Sequence, residues 1–241
     1  YGIISINNSA LRQSIEIVRR RIDDTGTKEP TILQRGDKRI LVELPGIKDP
    51  ERIKKLLGKT AQLNFRIVSD APNEFGSENL ISETGENLTV SKRIILSGEN
   101  LIDAQPRVDN QSNQPIVYFS LDRLGAKKFA RVTTSHVGKR LAIVLDDKII
   151  SAPSIREPIT SGSGNISGNF SFQEATDLAL LLRSGALPTP LNIVEERTVG
   201  PDLGEDSIRS GSISLLIGFI LVIFFMLYKY KIFGLIANLS L

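Results

Sequence analysis

The chain has 241 residues, 41% of them apolar, and its 30 basic and 27 acidic residues are interspersed to give a formal charge of +3. That balance supplies no basic face for nucleic acid, and an aromatic content of 6% without tryptophan leaves little for base stacking. There is no cysteine, which excludes disulfides, zinc-thiolate sites and thiol nucleophiles.

The opening Tyr1-Gly2-Ile3 has no basic region and no long apolar core, so no signal peptide is visible. A body outside a membrane would take its export signal from upstream, and the chain is therefore expected to be an internal fragment. Ser9 or Asn8 caps a predicted helix in which Leu11, Ile15, Val18 and Ile22 recur at helical spacing until Gly26 ends it. Strands are predicted over 31–34 and 39–44, joined by the turn Arg35-Gly36-Asp37-Lys38. Asp49-Pro50 starts a second helix with Ile53, Leu56 and Leu57 inward, and 61–67 alternates as a further strand. The order α-β-β-α-β is that of a ferredoxin-like motif lacking its first strand.

Residues 70–87 carry Pro72, Gly76 and Gly85 without apolar period and are predicted to be a linker. A second unit follows, with strands over 89–96 and 116–121 separated by turn-rich sequence. Asp122 then caps a helix running toward Gly138. Strands over 141–145 and 148–152 flank the hairpin turn Asp146-Asp147. The run 161–168, SGSGNISG, reads as a flexible loop, and Ser171-Phe172-Gln173-Glu174 as a capping box opening a helix to Gly185. After Pro188 and Pro190, residues 191–199 are predicted to return as the strand that the first unit lacks. The second unit is then an insertion into the first. Its two crossings, near Asp70 and near Pro188 and Pro190, make a hinge.

Residues 210–228, between Arg209 and Lys229, contain no charge and span about 28 Å as a helix, enough to cross a bilayer. Gly200, Pro201 and Gly204 join the returning strand to this predicted membrane helix. Another apolar run begins at Ile232, which favours a multi-pass protein over a single anchor. No catalytic set is legible. His136 is the single histidine and has no evident partners, Asp146-Asp147 suits a solvated turn better than a cation site, and the glycines of 161–168 lack a phosphate-loop ending. Glu195-Glu196, adjacent in a predicted strand, point to opposite faces.

The strings EIVRRRID, LVELPGIKDPERIKKLLGKTAQLNFRIV, VGKRLAIVLDDKIISAP, LLRSGALPTPLNIVEERTVGPDLGEDSI and KIFGLIANLSL span almost the whole chain. They resemble the SecD family, membrane subunits accessory to the bacterial Sec export channel. The resemblance implies an α+β fold: a ferredoxin-like base subdomain (1–69, with a returning strand and junction over 189–204), an inserted α+β head subdomain (70–188), a transmembrane helix (205–231) and the start of the next (232–241). It implies a multi-pass inner-membrane protein with residues 1–209 in the periplasm and no enzymatic cofactor. Its partners would be SecF, the SecYEG channel and exported unfolded polypeptides, held and pulled with the proton-motive force. The family's acidic motif resembling VDANV, tied to proton passage, does not occur in this chain. For the polypeptide, Phe119, Leu121, Ile149 and Ile155 are candidates to line an apolar groove, with core packing the alternative for all four. A membrane-anchored periplasmic binding or sensing domain unlinked to export is the second functional reading.

Overall fold

The computed structural model describes residues 2–27, 29–47, 49–69, 75–197 and 202–230, and the chain divides into two units, Tyr1–Asn192 and Ile193–Leu241. The first begins with helix α1 (Gly2–Asp23), strands β1 (Thr31–Arg35) and β2 (Arg39–Glu43) paired antiparallel, and helix α2 (Pro50–Gly58). Asp49 caps α2 by accepting from the Arg52 N–H at 3.0 Å. Val18, Ile22 and Ile32 bury the stripe of α1 against the β1–β2 hairpin, with Ile40 and Val42 alongside.

Strand β3 (Leu63–Ile67) does not join that hairpin. It is an inner strand of a four-stranded sheet ordered β10-β9-β3-β6, where β6 is Leu96–Ser97, β9 is Leu141–Leu145 and β10 is Lys148–Ser151. The expected ferredoxin-like sheet is therefore not formed among the described residues. The physical reason is burial: Leu63 and Phe65 bury on one face of β3 and Arg66 and Val68 on the other, so this strand needs a sheet covered on both sides.

One face is covered by a second sheet, ordered β11-β8-β7, with β7 Leu101–Val108, β8 Pro115–Leu121 and β11 Ser163–Ser167. Between and beside the sheets lie Phe65, Phe119 and Phe129, whose rings are 5.5 to 6.2 Å apart, together with helices α3 (Arg123–Ser135) and α4 (Phe172–Ser184). The other face packs Ala142, Val144 and Ile149 under a hairpin of β4 (Ser77–Ile81) and β5 (Asn87–Ser91). That hairpin occupies most of the segment expected to be a linker. Likewise β7 runs through sequence expected to be turns, and β11 replaces the expected flexible loop.

Helix α4 buries seven residues, on several sides. Leu178, Ala179 and Leu182 enter the main core, whereas Leu181 packs on Ile53 and Leu56 of α2. Its capping box is formed, with Ser171 Oγ accepting from the Glu174 N–H at 3.2 Å and Glu174 Oε2 from the Ser171 N–H at 2.8 Å.

The expected returning strand is not a strand over 191–197. Those residues have no regular structure and, after Leu191, are exposed. Among the described residues of the second unit, the one long element is helix α5 (Asp202–Tyr230).

Candidate functional site

Phe119, Leu121 and Ile155 lie in the main core, and Ile149 lies in the smaller core under the β4–β5 hairpin. Their exposures are 2%, 6%, 4% and 0% respectively, so in this conformation the four do not line an open groove. Strand alternation turns Phe119, Leu121 and Ile149 inward, Ile155 is buried from an irregular segment, and the structure uses all four for packing.

The most elaborate polar site lies where α1, α2, α4 and the β9–β10 turn converge. Arg21 is fully buried. Its guanidinium donates to the carbonyls of Leu56 (2.7 Å), Lys59 (2.5 Å), Thr60 (3.4 Å) and Gly185 (3.2 Å), and its Nε to Ser184 Oγ (3.3 Å). The C-terminal ends of α2 and α4 thus point their unpaired carbonyls at one cation, the sign that a helix C-terminus favours. Burial pushes the Arg21 pKa down to about 10, partly offset by the charge of Asp146.

Asp146 completes the site from the other side. One of its oxygens accepts from the Ala61 N–H at 3.0 Å and the other from the Gln62 N–H at 2.9 Å, and it also accepts from the Thr60 hydroxyl. Both Asp146 and Asp147 have positive φ, the geometry of a tight type I′ hairpin. The Thr60 carbonyl in turn accepts from the Leu187 N–H at 2.8 Å. Residues 56–62 are therefore held by α1, the β9–β10 turn and the end of α4 at once. This node was not singled out from sequence, although Arg21 falls three residues after Val18 inside the apolar stripe of α1.

A second buried cation stands on β3. Arg66, whose side chain is 9% exposed, pairs with Glu78 of β4, and its Nε has no hydrogen-bond partner. At the other end of that hairpin the Glu83 N–H donates to the Ile149 carbonyl at 3.0 Å. Next to this contact is a cleft of about 490 Å³, whose lining includes Glu83, Glu86, Arg140, Ser151, Ser167 and Asn169. Arg140 Nη1 lies 3.7 Å from Glu86.

His136 ends α3, its Nδ1 2.9 Å from the Val132 carbonyl. Glu195 and Glu196 are exposed outside any strand, Glu195 accepting from Arg197 Nε at 3.0 Å. Of the expected hinge and junction residues, Pro188 and Pro190 are exposed just beyond buried Leu187, and Gly204 lies within α5. Asp70, Gly200 and Pro201 lie outside the described residues. Within α5, Ile208–Met226 is a 19-residue stretch long and apolar enough to cross a membrane, and none of it is buried against the protein.

A family model described as SecDF, P1 head subdomain, matches residues 73–189, and one described as protein translocase subunit SecDF, P1 domain, N-terminal, matches 11–70. The chain is 50% identical over 240 residues to protein translocase subunit SecD of Acetobacter pasteurianus, covering 96% of this chain and 46% of the relative. It is 47% identical over 247 residues to SecD of Rickettsia prowazekii, covering 97% and 48%. The chain thus spans about half the length of the curated relatives it matches. Among solved structures, a membrane component SecDF that enhances protein export is 35% identical with a TM-score of 0.67, covering 80% of this chain and 94% of that one. SecDF in a super-membrane-facing form is 36% identical with a TM-score of 0.69, covering 96% of this chain and 34% of that one.

Proposed function

The chain belongs to the SecD family of protein translocase subunits, and from that premise we propose that it is the substrate-handling part of an accessory subunit of the Sec export channel. In this reading it stands in the bacterial inner membrane with residues 1–209 in the periplasm, beside SecF and the SecYEG channel. There it holds and draws on the emerging polypeptide, with work supplied by the proton-motive force. It runs no reaction of its own. The observation that carries the reading is continuity: the likeness to SecD extends over 96–97% of the chain, through the folded unit and into the lipid-length helix.

We assign residues 1–69 with 189–204 to a base and 70–188 to a head, with Asp70, Pro188 and Pro190 at the crossings. Several joints run across that division, among them the pairing of β3 with β6 and the ion pairs Arg66–Glu78, Arg52–Asp177 and Arg183–Asp24. β3 pairs with β9 from Leu63↔Leu145 to Ile67↔Leu141, and the end of α4 is bound to Arg21 and Thr60. A swing of the head across that division therefore requires both the pairings of β3 and the node around Thr60 to open.

The test is export in cells depleted of their own SecD and supplied with the full-length protein. Processing of a pulse-labelled precursor should slow on depletion, recover on complementation, and lose the benefit when an ionophore collapses the proton gradient. Processing indifferent to depletion would instead favour an anchored binding domain, and a benefit indifferent to the ionophore would remove the energetic part of the proposal.

A further inference from the structure

The three-stranded sheet has one closed edge and one open edge. The Leu121 N–H donates to the Gly162 carbonyl at 2.8 Å, and the register then alternates through Gly164↔Phe119 and Ile166↔Val117. By the antiparallel rule those pairs carry the β8–β11 hydrogen bonds, so the peptide groups of Ser163, Asn165 and Ser167 point away from the sheet. The same count on the other side of β8 turns the peptide groups of Ala104, Pro106 and Val108 outward from β7.

The two edges differ chemically. On β7 the Ala104 N–H is already taken by Asp103 Oδ1 at 2.9 Å, Pro106 has no N–H, and charged Asp103 and Arg107 flank them. These are the usual devices that stop a sheet from acquiring another strand. On β11 the sequence Ser-Gly-Asn-Ile-Ser has no charge and no proline. Among the described residues, nothing bonds the outward peptide groups of Asn165 and Ser167, and the Ser163 carbonyl takes only a 3.4 Å contact from Ser161 Oγ. At Ser167 the edge reaches the 490 Å³ cleft, whose lining includes Ser167 and Asn169 together with Ser151 of β10.

We propose that β11 is a docking edge for an extended polypeptide, which adds as a further strand beside Ser163, Asn165 and Ser167 and continues into the cleft. Recognition through peptide groups is indifferent to side-chain sequence, which suits a partner whose sequence varies. A second copy of the chain fits less well: an edge of five residues, about 17 Å long, contributes little of the roughly 1,200 Å² that stable association needs. The identity of the occupant rests on the export reading above; the open edge does not.

The experiment uses full-length protein in lipid nanodiscs and a fluorescent peptide of about ten residues alternating valine and threonine. Two further peptides carry N-methyl groups on alternate residues, one in each phase, so that one of them blocks the peptide face that meets β11. Losing two or three backbone hydrogen bonds should weaken one methylated peptide by about tenfold or more and leave the other near the parent. Asn165→Pro removes one outward donor without touching a β8 bond and should weaken the parent peptide similarly, with an unchanged melting temperature showing that the fold is kept. Absence of peptide binding, equal binding of both methylated peptides, or a stably folded N165P that binds normally would each overturn the proposal. So would self-association of the wild type lost in N165P, which would give the edge to a second copy. Because binding is read on purified protein, these outcomes are separate from a failure of the depletion experiment, which would remove the export role and leave the edge standing.

Discussion

Arg21 shows how one side chain decides the joining of several elements. Four carbonyls and a hydroxyl are satisfied by a single guanidinium, and no shorter or uncharged residue reaches them all. Arg21→Ala should cost about 3 kcal/mol or more, because it leaves buried acceptors unpaired and a cavity beside them. Arg21→Lys should recover only part of that, since an ammonium cannot spread over the same fork; thermal unfolding of the purified protein checks both. The pKa of about 10 lies below that of a free arginine, so above about pH 10 the unfolded chain holds a proton that the folded one gives up. Stability through this group accordingly rises only in that alkaline window, and neutral pH leaves it charged. Gly164 is a residue-scale case of the opposite kind. A Cβ there would sit 2.8 Å from the Phe119 ring, so Gly164→Ala should destabilise by about 1–3 kcal/mol through overpacking, and Phe119→Leu in the same chain should return part of the loss.

At the scale of elements, the same glycine explains why β11 was unreadable from sequence. Of its five residues only Ile166 is fully buried, and the absent side chain of Gly164 is the space Phe119 fills. A strand that packs by omission leaves no apolar alternation to detect. β7 hides similarly behind Pro106, with Ala104 its one fully buried residue. The hairpin β4–β5 buries Leu88 and Val90 but offers mainly polar residues otherwise. By contrast α2, α3, α4 and the β9–β10 hairpin were legible because caps and turns lie at their ends and apolar periods run between them. Their caps also set an acid limit. Hydrogen bonds from the Gly125 N–H to Asp122, and from the Ser171 N–H to Glu174, hold both carboxyls below their usual range. Their contribution is therefore complete above an unfolded pKa of about 4 and fades as pH falls through the folded values. Melting temperature should drop on acidification to about pH 3, and less steeply in D122N/E174Q. The hairpin's own fastening is testable too. Glu78→Ala strands the Arg66 guanidinium and should cost about 3 kcal/mol, whereas replacing both by Met and Leu should be near neutral.

At the scale of the molecule, the candidate site was the least legible part, because an apolar residue in a strand reads alike whether it lines a groove or fills a core. Phe119, Leu121, Ile149 and Ile155 fill the core, while the partners of Arg21 in the node and the open edge of β11 are largely peptide groups that no composition reveals. Residues 193–197 are exposed, and α5 runs 29 residues, about 44 Å, against a hydrocarbon thickness of about 30 Å. Under the export reading, movement of α5 in the membrane would have to reach the folded unit through the stretch that precedes Asp202. Inserting about eight Gly and Ser residues between Ile193 and Val194 leaves the folded unit, the lipid-length helix and their hydrogen bonds intact but makes that stretch slack. Under the export reading, precursor processing should then fall toward the level of depleted cells and cease to respond to the ionophore, with protein level and membrane insertion unchanged. Full, ionophore-sensitive processing with the slack in place would show that α5 anchors the folded unit without pulling on it, and the work would then have to enter through another contact.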